Sequence, residues 1–208
     1  VMAGAPYEKG NANGDLMPGT LISLWAGIDW SYEPIKRWDD GRHYDEAYRD
    51  GIFSVDDPGL PGMIRIGESI GAGNIGHAFG VDSTDEVSLT DAMIEQRRRL
   101  PEYVRYYREY MEGFSDVELV ATGALLGIRE SRRITGDYIL TADDFIRQAV
   151  FDDEIGRYAY DVDIHPSRPG IDAHNECQAQ IGKLRYQKGE SYGIPYRILT
   201  PLGLSNIL

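Results

Sequence analysis

The sequence predicts an α+β fold, a mixed, largely antiparallel sheet carrying one long kinked helix and several short ones. Three observations lead there. Short apolar-alternating segments recur without the regular strand–helix succession of a doubly wound sheet. Only Leu89 to Gly113 is both long and helically periodic. Glycine- and proline-rich punctuation, densest in Asp56 to Gly62 (DDPGLPG), separates the short segments. With 208 residues and no linker or repeat, one domain over 1–208 is expected.

The elements follow in order. Residues 1–20 hold six of the glycines and prolines and read as irregular chain. Thr20 to Trp30 alternates as a strand with Leu21, Ser23 and Trp25 on one face. His43 to Asp50 is a short helix ended by Gly51. Met63 to Ile66 and Ile75 to Val81 read as strands around a loose SIGAGN segment. In the long helix, Thr90 or Asp91 caps the start and Gly113 stops it. Its stripe runs Met93, Arg97, Leu100, Val104, Tyr107, Met111, and Pro101 kinks it by removing a backbone donor. Glu118 to Thr122 is a strand, and Gly127 to Leu140 a long ribbon. Thr141 with Asp144 forms a capping box for a short helix through Ala149. Tyr158 to His165 and Ile194 to Leu199 are further strands, and residues 166–190 a polar surface excursion.

Composition narrows the function classes. A net charge of −13 repels phosphate backbones, and no basic stripe offsets it, which argues against nucleic acid. The Arg97-Arg98-Arg99 run beside Glu95 and Glu102 reads as a solvated helix face. No apolar run reaches the length of a membrane span, so no membrane partner is expected, and no signal peptide is visible at Val1. The lone Cys177 excludes an internal disulfide and fits a reducing, cytoplasmic compartment. Asp172, His174, Glu176 and Cys177 lack metal-site spacing, as does His77. The Gly71 to Gly76 run (GAGNIG) lacks the preceding strand, following helix and later acidic residue of a dinucleotide site, so it reads as a flexible loop.

Three segments carry a specific resemblance. They are Gly127 to Leu140 (GIRESRRITGDYIL), Asp161 to His165 (DVDIH) and Tyr192 to Arg197 (YGIPYR). In that order they resemble the FAD-dependent oxidoreductase family with G-[IV]-R-E-S-R-R-I-x-G-x-Y, D-I-H and Y-x-I-P-Y-R segments. Tyr7 to Gly10, the Thr20 to Asp29 strand and the LTDAMIEQRR helix start extend the similarity over nearly the whole chain. The resemblance implies the central substrate-side domain of a flavoprotein, acting on an unidentified small organic substrate. It implies FAD in the intact protein and none in this fragment, which would be inactive alone. The FAD-binding domain of the same polypeptide is then the partner, Val1 and Leu208 should lie within about 15 Å of each other, and the exposed interface should drive self-association.

Site chemistry follows from the ribbon. Side chains alternate along a strand, so Ile128, Glu130, Arg132 and Ile134 share one face, and Arg129, Ser131, Arg133 and Thr135 the other. The isoleucines point to a buried first face, where Glu130 and Arg132 form a structural ion pair. The alternative has arginines reaching the flavin edge or an anionic substrate group; a split leaves Arg129 and Arg133 for the site. His165 is the base candidate, and Tyr196 and Arg197 are candidates for the isoalloxazine or the domain interface. A rival reading is a non-catalytic carbohydrate- or ligand-binding module stacking on Trp25, Trp30, Trp38 and the tyrosines. No carboxylate pair recommends a glycoside hydrolase.

Overall fold

The computed structural model describes residues 1–32, 43–58, 62–182 and 184–205. Its strands are β1 (Tyr7–Lys9), β2 (Ser23–Ala26), β3 (Met63–Arg65), β4 (Gly71–Gly73), β5 (Glu118–Thr122), β6 (Arg132–Ile134), β7 (Glu154–Tyr158) and β8 (Tyr192–Pro195). The helices are α1 (Tyr44–Arg49), α2 (Glu86–Tyr110), α3 (Ala142–Ile146) and α4 (Ile171–Ile181), with a 3-10 turn over Tyr196–Ile198. Every strand pairing among the described residues is antiparallel, and the α+β class holds. The chain divides into two compact units. One comprises Val1–Gly14, Arg132–His165 and Glu176–Leu208, the other Asp15–Ser131 and Pro166–Asn175. Leu208 lies outside the described residues, and with it the expected proximity of the termini.

The larger unit is built on a four-stranded sheet in the order β3-β4-β2-β5. Leu21, Ser23 and Trp25 are buried on one face, as alternation requires, with Trp25 at 0% exposure. The GAGNIG run is not a loose loop: Gly71–Gly73 is a central strand pairing with β2 and β3. A Cβ on Gly73 would lie 2.6 Å from Trp25 Nε1, so glycine lets the indole pack flat on the strand. Conversely, Ile75 to Val81 is no strand; only Ala78 pairs there, bridging Gly19. Helix α2 starts one turn earlier than periodicity predicts, because Asp85 reaches Val87 N at 2.8 Å and Ser88 N at 3.4 Å and caps it first. Thr90 is inside the helix, its hydroxyl donating to Glu86 O. Pro101 sits within this one continuous helix. The buried stripe is Gln96, Arg99, Leu100, Tyr103, Tyr106 and Tyr107, so Arg97 is outside it and two polar residues are in it. Tyr107 stacks on Phe114 at 5.0 Å and meets Trp25 edge-on at 5.7 Å, the centre of the core.

The smaller unit pairs β1 with β6 and β7 with β8. The expected ribbon is broken. Gly127 bridges Thr20, Arg132–Ile134 pairs with β1, and Gly136 bridges Pro201, so the partner changes every few residues. The Thr141–Asp144 capping box forms, and α3 ends at Ile146, three residues before the expected Ala149. Strand β7 covers Glu154–Tyr158, upstream of the expected Tyr158 to His165. Strand β8 ends at Pro195, which lacks the N–H to continue a ladder; Tyr196 N donates instead to Asp153 O. Phe145 and Tyr186 stack at 3.9 Å, with Tyr192 against both. Within the expected irregular excursion, α4 forms because Ala173, Cys177 and Ile181 repeat every four residues and bury one face. No described helix is long and apolar enough to cross a membrane.

Candidate functional site

The larger unit buries an unusual set of polar side chains next to a cavity. Asp57, from the DDPGLPG turn, accepts from both His77 N and His77 Nδ1 at 2.7 Å. Its own backbone N–H donates to the Tyr44 hydroxyl. Burial pushes the Asp57 carboxyl up, but the His77 hydrogen bonds and charge, with Arg99 beyond them, hold it below its ordinary range. An ionised carboxylate only accepts, so His77 Nδ1 must carry the shared proton and the imidazole is fixed in orientation. Burial raises the Tyr44 and Tyr103 hydroxyls well above the usual phenol range, so both stay protonated.

Helix α2 supplies the other half. Gln96 Nε2 and Arg99 Nη1 each donate to the His77 carbonyl at 3.0 Å. Arg99 is only 4% exposed, and its Nε and Nη2 are buried without a hydrogen-bond partner. These residues wall a cavity of about 620 Å³, within the range that holds small organic ligands. Phe79, Val81 and Ala92 give it apolar surface, and Asp85, Asp91 and Glu95 add carboxylates. Chemically the site offers a buried guanidinium and an oriented imidazole beside apolar and acidic wall residues.

None of the residues chosen from sequence lines this cavity. Arg129, half-buried in the larger unit, donates to Thr20 Oγ1 at 3.1 Å, and Glu130 accepts from Met17 N at 2.8 Å. Arg132 is in the smaller unit, exposed, its guanidinium 5.5 Å over the Tyr7 ring. The expected buried face is not found: Ile128 is 39% and Ile134 47% exposed, and β6 pairs with β1 in a short two-stranded ribbon. The Glu130–Arg132 pair is therefore not a core ion pair. Arg133 donates to Gly10 O at 2.6 Å and lies 3.8 Å from Glu8 Oε2. His165 Nε2 is 3.3 Å from Asp163 Oδ1, in irregular chain and not at a strand end. Tyr196 is exposed in the 3-10 turn. Arg197 spends its fork on Asp153 at 3.0 and 3.2 Å and covers the Tyr138 ring, and that pairing holds the Asp153 carboxyl down.

Trp25 and Trp30 are core residues, which removes them as stacking platforms; Trp38 lies outside the described residues. No group of metal ligands occurs among the described residues, and Cys177 is buried, its thiol pushed up by burial and by the Asp163 charge. Sequence reasoning missed Asp57, His77, Gln96 and Arg99. Asp57 is hidden in turn chemistry and Arg99 in an arginine run of which only Arg97 and Arg98 are exposed. The available signal was helical phase: Gln96, Arg99 and Tyr103 fall on the stripe of Leu100 and Tyr107.

A dinucleotide cofactor needs a glycine turn between a strand and a helix, with backbone N–H groups on its phosphates. Gly71–Gly73 is instead a paired strand whose open faces are filled by Met63 and Trp25, so this run does not fit a pyrophosphate. A family model described as FAD dependent oxidoreductase matches residues 1–208. No curated protein and no solved structure matches the chain.

Proposed function

The chain belongs to the FAD dependent oxidoreductase family, and from that premise we propose that it supplies the substrate-side portion of such an enzyme. Its substrate is a small organic molecule taken by the cavity between α2 and the Asp57–His77 pair. The observation that carries this reading is a ligand-sized cavity of about 620 Å³ walled by the buried Arg99 and His77. Solvated surfaces do not need such groups, and protein interiors tolerate them only where something pairs with them. The flavin, which would supply the hydride or electron chemistry, is held by the FAD-binding portion of the same polypeptide. Arg129, Arg133, His165, Tyr196 and Arg197 are then residues of the surfaces that meet that portion, and the chain alone is inactive. Incubating the purified 208-residue protein with excess FAD, followed by gel filtration, tests this. The protein peak should carry no flavin absorbance; close to one retained equivalent would overturn the assignment.

A further inference from the structure

We propose that the cavity takes a small organic cation, an amine carried as its ammonium ion against Asp91 and Glu95 of α2. The site is the one read above as the substrate's, and that reading gives the binding its meaning in the enzyme. The binding itself is measurable without flavin.

The charge on the wall comes from one side of a helix. Ser88, Asp91 and Glu95 follow at three- and four-residue spacing, so they share a face of α2, and all three line the cavity. Asp85 lines it too, but its carboxylate is spent on Val87 N at 2.8 Å and Ser88 N at 3.4 Å as the helix cap. Asp91 and Glu95 lie past that first turn, where the helix dipole no longer favours anions. As like charges four residues apart they repel each other, and a cation held between them removes that repulsion. Glu95 reaches Arg98 at 3.9 Å, an exposed contact of little worth. Arg99 does not neutralise the wall. Its Nη1 is spent on the His77 carbonyl at 3.0 Å, its Nε and Nη2 are buried, and it stands alone against three carboxylates.

The rest of the wall selects the kind of cation. Phe79 adds an aromatic ring, whose face attracts cations. Val81, Val87 and Ala92 add apolar surface for a hydrocarbon body. No group of three or more metal-ligating side chains is gathered among the described residues, so the carboxylates do not form a cage for a divalent metal. A cavity of about 620 Å³ also leaves room for a molecule and not only an ion. The net charge of −13 draws cations towards this wall and repels anions.

Calorimetric titration of the full chain with benzylammonium chloride, the neutral benzyl alcohol, sodium benzoate and calcium chloride tests this. Benzylammonium should bind saturably at one site, with benzyl alcohol weaker by about tenfold or more, the loss expected for a charge-assisted contact. Benzoate should not bind, and calcium should not displace benzylammonium. Asp91→Asn and Glu95→Gln should each weaken benzylammonium severalfold, whereas Glu118→Gln, an exposed carboxylate in β5 away from the cavity wall, should leave it unchanged. All three changes are on exposed side chains, and unchanged circular-dichroism melts would show that the variants fold. Absence of benzylammonium binding, benzyl alcohol or benzoate binding as tightly, displacement by calcium, or equal effects in Asp91→Asn and Glu118→Gln would each overturn the proposal. FAD retention by this chain would overturn the substrate-side reading and leave a benzylammonium result standing; failed benzylammonium binding would do the reverse.

Discussion

At the scale of single residues, charge is stabilising here only where geometry completes it. Asp57 accepts two His77 donors at 2.7 Å in a buried setting, so Asp57→Ala leaves both stranded and should cost about 3–5 kcal/mol. The pH dependence has a definite sign. The Asp57 carboxyl lies below its ordinary 3.8 in the folded protein, so its contribution is full above that value and fades as pH falls through the lower folded value. The gap between the melting midpoints of wild type and Asp57→Asn should therefore narrow on acidification below about pH 4. The arginines of the GIRESRR segment separate in the same way. Arg129 is half-buried and hydrogen-bonded to Thr20, so Arg129→Ala should cost about 1–2 kcal/mol. Arg132 is exposed over Tyr7, so Arg132→Ala should stay within about 0.5 kcal/mol. Urea midpoints of the two variants check this; a larger loss in Arg132→Ala would restore the core ion pair that the sequence suggested.

At the scale of elements, legibility depended on whether a local signal or a remote partner decided the outcome. The Thr141–Asp144 capping box, the Glu118–Thr122 strand and the one-face burial of Leu21, Ser23 and Trp25 are local and were readable. Strand β4 was not, because glycines weaken a strand in isolation and are required here only by what packs on them. Gly73→Ala places a methyl 2.6 Å from Trp25 Nε1 and 2.7 Å from Ser23 Oγ, and should destabilise by about 1–3 kcal/mol. Gly156, in β7, has nothing within 4 Å of its would-be Cβ, so Gly156→Ala should be neutral or slightly stabilising. Thermal melts of the two variants make the comparison. Helix α4 shows the reverse failure: its polar composition suggested irregular chain, although Ala173, Cys177 and Ile181 carried a four-residue repeat.

For the whole molecule, the apolar core and the buried polar cluster both lie in the larger unit, whose core gathers Trp25, Trp30, Tyr106, Tyr107 and Phe114. The smaller unit relies on short ribbons and the Phe145–Tyr186–Tyr192 stack. Local stability follows buried contacts, so amide hydrogen exchange should be slowest in α2 and β2 and faster in β7 and β8; equal protection would contradict the division. Composition by itself sets one expectation about partners: a net charge of −13 disfavours polyanions wherever those charges sit, because the long-range field depends on their sum. Periodicity settled the α+β class and the main helix, because burial of a stripe or an alternate face is written residue by residue. The cavity was beyond such reading. Asp57, His77 and Arg99 are separated by 20 and 22 residues in the chain and meet only when β4 carries His77 back against α2. Whether a polar side chain is solvated or buried depends on what the rest of the chain places around it, and for Arg99 only the packed structure decided that.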